Sequence, residues 1–395
     1  MRVALLTGGN DKPYALGLLG ALVSQDISVD FIGDDDMGIA EIVADKRVNF
    51  LNYCGNQSSM ASTSRKIIRV LNYYARLIGY ASKSGSEIFH ILWFNKFVWF
   101  DMFLLNSYYK VLRKKLVYTA HNVDERERDG GNNFLSRVSL WVFYRMVDHI
   151  FVHTLKMKRQ LVRDFKVAET KISVIPFGIN NTLPKSNLTR IEARDKLDLS
   201  IENKAVLFFG HIAPYKGLEY TLYALDCLRK KDDNYRLIIA GQIKKCRSYW
   251  FSLERIIKQL NLSKHLIKAI EYIPDEEVEI YFKASDVLLL PYRFIYQSGV
   301  LFLSYSFGLP VIATDVGSLR DDIVEGVTGM VCRAEDPSDL ANTISTYFNS
   351  DLFRNLERNR NAVMDYANTT YSWDVVGEIV VRAYKDLTSK LEEAV

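Results

Sequence analysis

Short apolar runs alternate with amphipathic segments along the whole 395-residue chain. Residues 2–6, 29–33, 116–119, 150–154, 172–176, 205–209, 236–240, 267–272, 287–290 and 311–314 have the length and aliphatic content of buried strands. Helical spacing follows them at 16–22, at 140–146, in the segment through Val162 and from Leu218 onward. Strand, helix, strand in succession is the unit of a parallel, doubly wound α/β sheet, whose ligands sit at the carboxyl ends of the strands.

One stretch concentrates these signals: 287–317, VLLLPYRFIYQSGVLFLSYSFGLPVIATDVG. Its first strand ends in Pro291 and Tyr292, and after a short loop Ser298 stands as N-cap to a helix that Gly308 and Pro310 stop. A helix starting at Ser298 and Gly299 turns free N–H groups and its positive dipole end toward the strand ends, which suits an anion such as a phosphate. Gln297, Ser298 and the N–H groups of Gly299, Val300 and Leu301 are the candidate donors. The same residues also fit a plain N-cap and tight turn. A second loop, GHIAPYKG (210–217), places Lys216 just before Gly217 and the next helix, where an ammonium and a helix dipole can neutralise a diphosphate together. An exposed helix-start lysine would read the same way. The strand at 116–119 delivers His121 and Asn122 to the carboxyl edge of the first sheet, and a histidine there fits either a structural role or a ligand contact.

The pairing of YQSGV with FGLPVIATDVG, together with GHIAPYKGLEYTLYAL (210–225), TAHNV (119–123) and EGVTGMVCRAEDPSDLANTI (325–344), resembles the family 4 retaining glycosyltransferases of the GT-B fold. The resemblance covers nearly the whole chain. It implies two Rossmann-like doubly wound domains facing a central cleft, with a nucleotide-sugar donor bound there without a metal. It places Gly8 and Gly9 near the donor phosphates or acceptor, and brings His121 to the donor sugar or its phosphate. Gly210, His211 and Lys216 fall on the donor loop, and backbone atoms at Ile273 read the nucleotide base. Phe177, Gly178 and Ile179 match a strand-end turn of the family, and Trp373 with the helix through Tyr384 resembles the tail that crosses back onto the first domain. The expected domains are 1–185 and 186–370, joined by a linker at 180–188, with 371–395 as that tail.

The chain departs from the family pattern in three places. Many members carry two glutamates where Ile295 and Leu303 stand here, and an arginine where this chain has His211. A subgroup with QSGV at the helix start shares the missing glutamates, so the departure reads as a variant.

Composition narrows the rest. With 48% hydrophobic residues the chain can bury two sizeable cores. Cys54, Cys227, Cys246 and Cys332 lack a CxxC pair and read as reduced, cytosolic residues, neither a disulfide frame nor a zinc site. Asp34, Asp35 and Asp36 follow only the second strand and read as a solvated turn, so no metal cofactor is expected. The opening residues read as a strand and glycine turn with no leader, and no apolar run reaches the roughly 18 residues of a membrane span. The net charge of +4 is mild, but residues 65–115 hold ten lysines and arginines against Glu87 and Asp101, interleaved with aromatics such as Tyr74, Trp93, Trp99 and Phe103. That band suits an anionic membrane surface; it also fits packed helices with solvated lysines, and no nucleic-acid motif accompanies it.

The expected protein is a cytoplasmic glycosyltransferase, peripheral on the inner face of the cell membrane. It transfers a sugar from a nucleotide diphosphate, UDP preferred, to a lipid-linked or growing surface glycan. A nucleotide-sugar epimerase on the same fold and a catalytically inactive GT-B partner subunit are the alternatives. Nucleotide binding and acceptor dependence separate them.

Overall fold

The computed structural model describes residues 1–8, 11–37, 44–57, 62–95, 97–124, 134–181, 183–243 and 246–392. Gly9, Lys96 and residues 125–133 of the expected polar loop lie outside them. The chain divides into two compact units, Met1–Gly178 with Tyr371–Val395, and Ile179–Thr370.

The first unit is built on seven parallel strands: β1 (Arg2–Leu6), β2 (Ser28–Asp34), β3 (Val48–Gly55), β4 (Ile88–Ile91), β5 (Lys115–Ala120), β6 (His149–Val152) and β7 (Ile172–Val174), in the order β3-β2-β1-β4-β5-β6-β7. Both faces are covered, so the strands read as continuous apolar runs without alternation. Around them lie α1 (Lys12–Ser24), α2 (Thr63–Lys83), a π-helical turn (Phe100–Leu105) leading into α3 (Asn106–Val111), α4 (Phe134–Met146) and α5 (Leu155–Phe165). Asp11 caps α1 by accepting from the Tyr14 N–H, with Pro13 in the first turn, where its missing donor costs nothing. The C-terminal helix, Trp373–Glu392, packs on α1 in this unit. The approach is close because Gly17 faces Trp373, and a Cβ at 17 would overlap the indole ring. Val376, Val380 and Tyr384 thereby join Leu18, Leu22, Val29 and Phe31 in one core.

The second unit holds six parallel strands: β8 (Lys204–Phe209), β9 (Tyr235–Ala240), β10 (Leu266–Ala269), β11 (Val287–Leu290), β12 (Val311–Thr314) and β13 (Gly329–Cys332), ordered β10-β9-β8-β11-β12-β13. Its helices are α6 (Arg190–Asp195), α7 (Leu218–Arg229), α8 (Arg247–Gln259), α9 (Asp275–Ala284), α10 (Gly299–Ser306), α11 (Pro337–Asn349), α12 (Asp351–Arg354) and α13 (Leu356–Thr370). Its core runs through Leu222, Leu237, Ile239, Val287, Leu289, Ile312, Ile344 and Tyr347.

Three sequence expectations change. The strand expected at 267–272 ends at Ala269, so Ile273 lies in the following loop with its side chain buried. The stretch expected to be a free linker is tied down, with Lys185 Nζ donating to the Ser306 carbonyl at 2.6 Å and Ser186 donating to Glu279. Asp34 is buried at the end of β2, although it was expected in a solvated turn. Strands β3, β4 and β13 carried no separate expectation.

The second unit also buries an ion cluster. Asp286 is fully buried, and Arg194 Nη2 reaches both its oxygens at 2.9 Å. Arg190 reaches Oδ1 at 2.5 Å, and the Ala205 N–H donates to Oδ2 at 2.8 Å. The remaining Arg194 donors go to the carbonyls of Ala284, Ser200, Ile201 and Asn203. Removing one partner leaves a buried charge uncompensated. Asp286→Ala is therefore expected to cost on the order of 3–5 kcal/mol in urea unfolding. Arg333→Ala, at an exposed pair screened by solvent, should cost far less. Equal effects would contradict this account.

The first unit buries histidines in their neutral form. His90 sits between the Tyr384 hydroxyl at 2.5 Å and Thr119 Oγ1 at 2.7 Å, and burial lowers its pKa to about 3. Burial likewise lowers His149 and His153 to about 4, and His121 well below its usual value. The unfolded chain takes up these protons below about pH 6.5 while the folded chain resists until about 4, so stability falls as pH drops through that window. Buried Asp101, raised to about 6 by desolvation, works in the opposite sense. The urea midpoint is expected to fall between pH 6.5 and 4.5, and His149→Gln to flatten that slope. A slope unchanged by the substitution would contradict it.

Candidate functional site

Strand order reverses between β1 and β4 in the first sheet and between β8 and β11 in the second. Strands on either side of a reversal send their connections to opposite faces, leaving a crevice outside their carboxyl ends where ligands bind. Each unit therefore has one such edge, and the candidate residues fall on both.

In the second unit, Gly210 follows β8 with φ +95°, and a Cβ there would lie 3.1 Å from Lys216 Nζ and 3.6 Å from Val300 Cγ2. The loop after β8, the lysine and the first turn of α10 thus converge on one point. Gly217, at φ +66°, passes so close to the end of β11 that a Cβ would overlap the Pro291 carbonyl oxygen. Only glycine accepts both the left-handed conformation and that approach. The contact folds the 3₁₀ turn Pro214–Lys216 back over the sheet, where the Arg293 N–H donates to the Tyr215 carbonyl at 2.8 Å.

Lys216 is buried, with 6% of its surface exposed, and its ammonium stands 5.3 Å from the centre of the Tyr292 ring. Among the described residues it is paired with no carboxylate. Burial pulls its pKa below the usual lysine value, because desolvation penalises the charged form. Tyr292 is fixed in turn by Thr314 Oγ1, which donates to its carbonyl at 2.6 Å, and its hydroxyl lies 3.3 Å from Ser298 Oγ.

Ser298 is the N-cap residue of α10 by position, but its side chain makes no capping bond. The N–H groups of Gly299 and Val300 in the first turn have no intrahelical acceptor. The expectation for Leu301 is corrected: its N–H already donates to the Ser298 carbonyl at 3.1 Å, because the helix begins with a tight turn. Gln297 Nε2 donates to Asp322 Oδ2 at 3.2 Å, while Gln297 Oε1 is buried without a partner. Ser318 braces the same loop, its N–H and hydroxyl both donating to the Tyr296 carbonyl, at 3.1 and 2.9 Å. His211 is exposed on the same loop as Gly210, with its Nε2 3.4 Å from Gln242 Nε2. Ile273 sits in the loop after β10, the far edge strand of this sheet.

Sequence reasoning missed Tyr292, Ser318 and Asp322. Their signal was present: Tyr292 follows the strand-ending Pro291, and Ser318 and Asp322 follow the TDVG turn.

In the first unit, Gly8 follows β1 with φ +62°, and a Cβ there would come within 2.6 Å of the Trp93 carbonyl oxygen after β4. The Trp93 ring stacks on His121 at 4.1 Å with the planes parallel. His121 Nδ1 lies 3.0 Å from His153 Nε2, and Tyr14 meets His121 edge-on at 4.6 Å. His121 as a residue is part-exposed, yet its Nε2 is shielded from solvent and has no partner. The cluster holds a neutral imidazole at the strand-end edge. Among the described residues no group of three His, Cys, Asp or Glu side chains is placed to hold a metal ion.

The family model described as "Glycosyltransferase Family 4" matches residues 13–183, and "Glycosyl transferases group 1" matches residues 189–365. A D-inositol 3-phosphate glycosyltransferase of Corynebacterium efficiens is 25% identical over 287 residues, covering 70% of this chain and 67% of its own. Sucrose-phosphate synthase from Thermosynechococcus elongatus superposes with a TM-score of 0.73 at 18% identity, over 99% of this chain and all of that one. Anabaena HepE in complex with UDP gives 0.73 at 15% identity over 98% of this chain and 100% of its own, and its complex with UDP-glucose gives 0.72 at 14% with the same coverage. With the two family models spanning nearly all of the chain and two parallel sheets each reversing at a glycine-lined edge, the chain belongs to the family 4 glycosyltransferases of the GT-B fold.

Proposed function

We propose that this enzyme transfers a hexose from a UDP-sugar to a hydroxyl of a lipid-linked or growing surface glycan, with retention at the anomeric carbon and without a metal ion. The observation that carries this reading is a buried Lys216 ammonium with no counter-ion among the described residues, converging with the open first turn of α10 at the reversal of the second sheet. An unpaired buried cation is costly, and a diphosphate would relieve it while accepting the N–H groups of Gly299 and Val300. UDP and UDP-glucose bound to HepE, a protein of the same fold, support this choice of donor.

In the proposed reaction the acceptor oxygen bonds to the anomeric carbon on the face that the diphosphate leaves. The carbon–oxygen bond to the β-phosphate breaks, and the acceptor proton passes to a leaving phosphate oxygen. Lys216 and α10 act on the charge that grows on that phosphate, an electrostatic role usually taken by a divalent ion in other transferases. His121 offers its unpartnered Nε2 to a ligand hydroxyl or phosphate at the edge of the first sheet.

The membrane partner is proposed from α2. Between Thr63 and Lys83 the helix carries Arg65, Lys66, Arg69, Arg76 and Lys83 and no acidic residue. Val70, Tyr73, Tyr74 and Leu77 face the core, whereas Ile67, Ile68 and Leu71 are 56%, 57% and 60% exposed. An apolar stripe beside a basic one suits the surface of an anionic bilayer. The enzyme would work there on the cytoplasmic face.

Lys216→Ala is expected to lower kcat by roughly 10²–10³, as for loss of one oxyanion donor. His121→Ala should reduce turnover while leaving UDP affinity unchanged. Wild-type turnover should persist in EDTA. Full activity in either variant, or an absolute metal requirement, would contradict the proposal.

Anionic vesicles should sediment the protein at low salt and release it at high salt, and Ile67→Ser with Leu71→Ser should weaken the binding several-fold. Equal sedimentation with neutral vesicles would remove the membrane reading.

A further inference from the structure

A cavity of about 460 Å³ opens in the first unit, lined by Arg2 of β1, Asp30 of β2, Asn49 and Tyr53 of β3 and the last turns of α2. It lies away from the strand-end edge: Arg2 is the first residue of β1, whereas Gly8 follows its last, a separation of roughly 20 Å along an extended strand. Its size is in the range of small-molecule sites. Three cations line it, Arg2, Arg76 and Lys83, against one carboxylate, Asp30.

Asp30 is buried and already satisfied. It accepts from the Tyr80 hydroxyl at 2.7 Å, Ser86 Oγ at 2.8 Å and Asn49 Nδ2 at 2.8 Å, with Arg2 Nε 3.7 Å away. Arg76 and Lys83 stand exposed at the cavity mouth: among the described residues neither forms an ion pair, and Arg76 makes only a long bond, 3.4 Å, to the Asn52 carbonyl. The wall is also kept bare. Gly79 lies within α2, where glycine is less favourable than alanine, yet a Cβ there would meet nothing within 4 Å. No packing contact demands that glycine, and its absent side chain leaves the cavity wall open. Tyr53 adds an aromatic face, set edge-on to Tyr80 with ring centres 6.2 Å apart.

We infer that this cavity is a second ligand site, taking a soluble sugar phosphate: the phosphate meets Arg76 and Lys83, and the sugar ring lies against Tyr53. The site is separate from the proposed donor site, which belongs to the other unit. A sugar phosphate bound here is neither donor nor leaving group and would act as an effector or as a remote anchor for a charged glycan.

Calorimetric titration of the full chain with glucose 6-phosphate, with UDP present at saturation and again without it, tests the inference. Glucose 6-phosphate is expected to bind under both conditions, at least tenfold more tightly than inorganic phosphate. The double variant Arg76→Gln with Lys83→Gln should weaken it tenfold or more. Gly79→Leu, which fills the cavity and favours the helix, should do the same without lowering Tm. UDP affinity should be unchanged in Gly79→Leu, and vesicle sedimentation should not fall. Absent binding in the wild-type protein, equal affinity for the two probes, or undiminished affinity in both variants would overturn the inference. Loss of vesicle binding in Gly79→Leu would assign the cavity to a lipid headgroup and overturn the soluble ligand.

Discussion

A parallel sheet wound in both directions must reverse once, and at the reversal the backbone has to pack on itself with no helix to cover the strand ends. In each unit here that constraint is met by glycine. Gly8 passes the Trp93 carbonyl between β1 and β4, and Gly217 passes the Pro291 carbonyl between β8 and β11. The second contact has the larger consequence, because it folds a 3₁₀ turn over the sheet and carries Lys216 into a buried position beside Tyr292. The electrostatics of the proposed site follow from that placement. A lysine at an open helix start would be solvated, whereas this one is desolvated and lacks a carboxylate partner among the described residues.

The rest of the second unit holds the edge in place. Thr314, at the end of β12, anchors Tyr292, and Ser318 and Asp322 brace the loop before α10. Farther from the edge, Asp286 joins the start of β8 to α6 through Ala205, Arg190 and Arg194, so the strand that carries Gly210 is pinned at its other end. At positions 295 and 303 the chain has Ile295 and the buried Leu303, neither able to hydrogen-bond through its side chain. The polar groups at the loop are instead Gln297, with its unpartnered Oε1, and the first-turn amides of α10. Such an edge offers a ligand backbone donors, one amide acceptor and one buried cation.

Much of this was legible in the sequence. Strands at 2–6, 287–290 and 311–314 fall where the apolar runs placed them, because a strand buried on both faces has no reason to alternate. The parallel, doubly wound character followed from the succession of elements and the two domains from chain length and the family resemblance, and the motif at 210–217 marked the lysine. Other features were not legible. β3, with its part-buried pattern, and the short β4 give weak periodicity. Whether Leu301 had a free N–H depended on the pitch of the first turn of α10, which residue types do not encode. That His121 would be held neutral by Trp93, His153 and Tyr14 required residues distant in sequence to meet. Ser318 and Asp322 followed a visible TDVG turn, but their hydrogen bonds back to Tyr296 and Gln297 join residues more than twenty positions apart, which the pattern alone does not pair.

The central claim is that a nucleotide diphosphate binds where β8 and β11 part, and hydrogen–deuterium exchange with and without saturating UDP tests it most directly. The account predicts protection concentrated in the backbone amides of 210–217 and 297–303. Protection confined to other segments, or none at a UDP concentration that saturates binding, would contradict it.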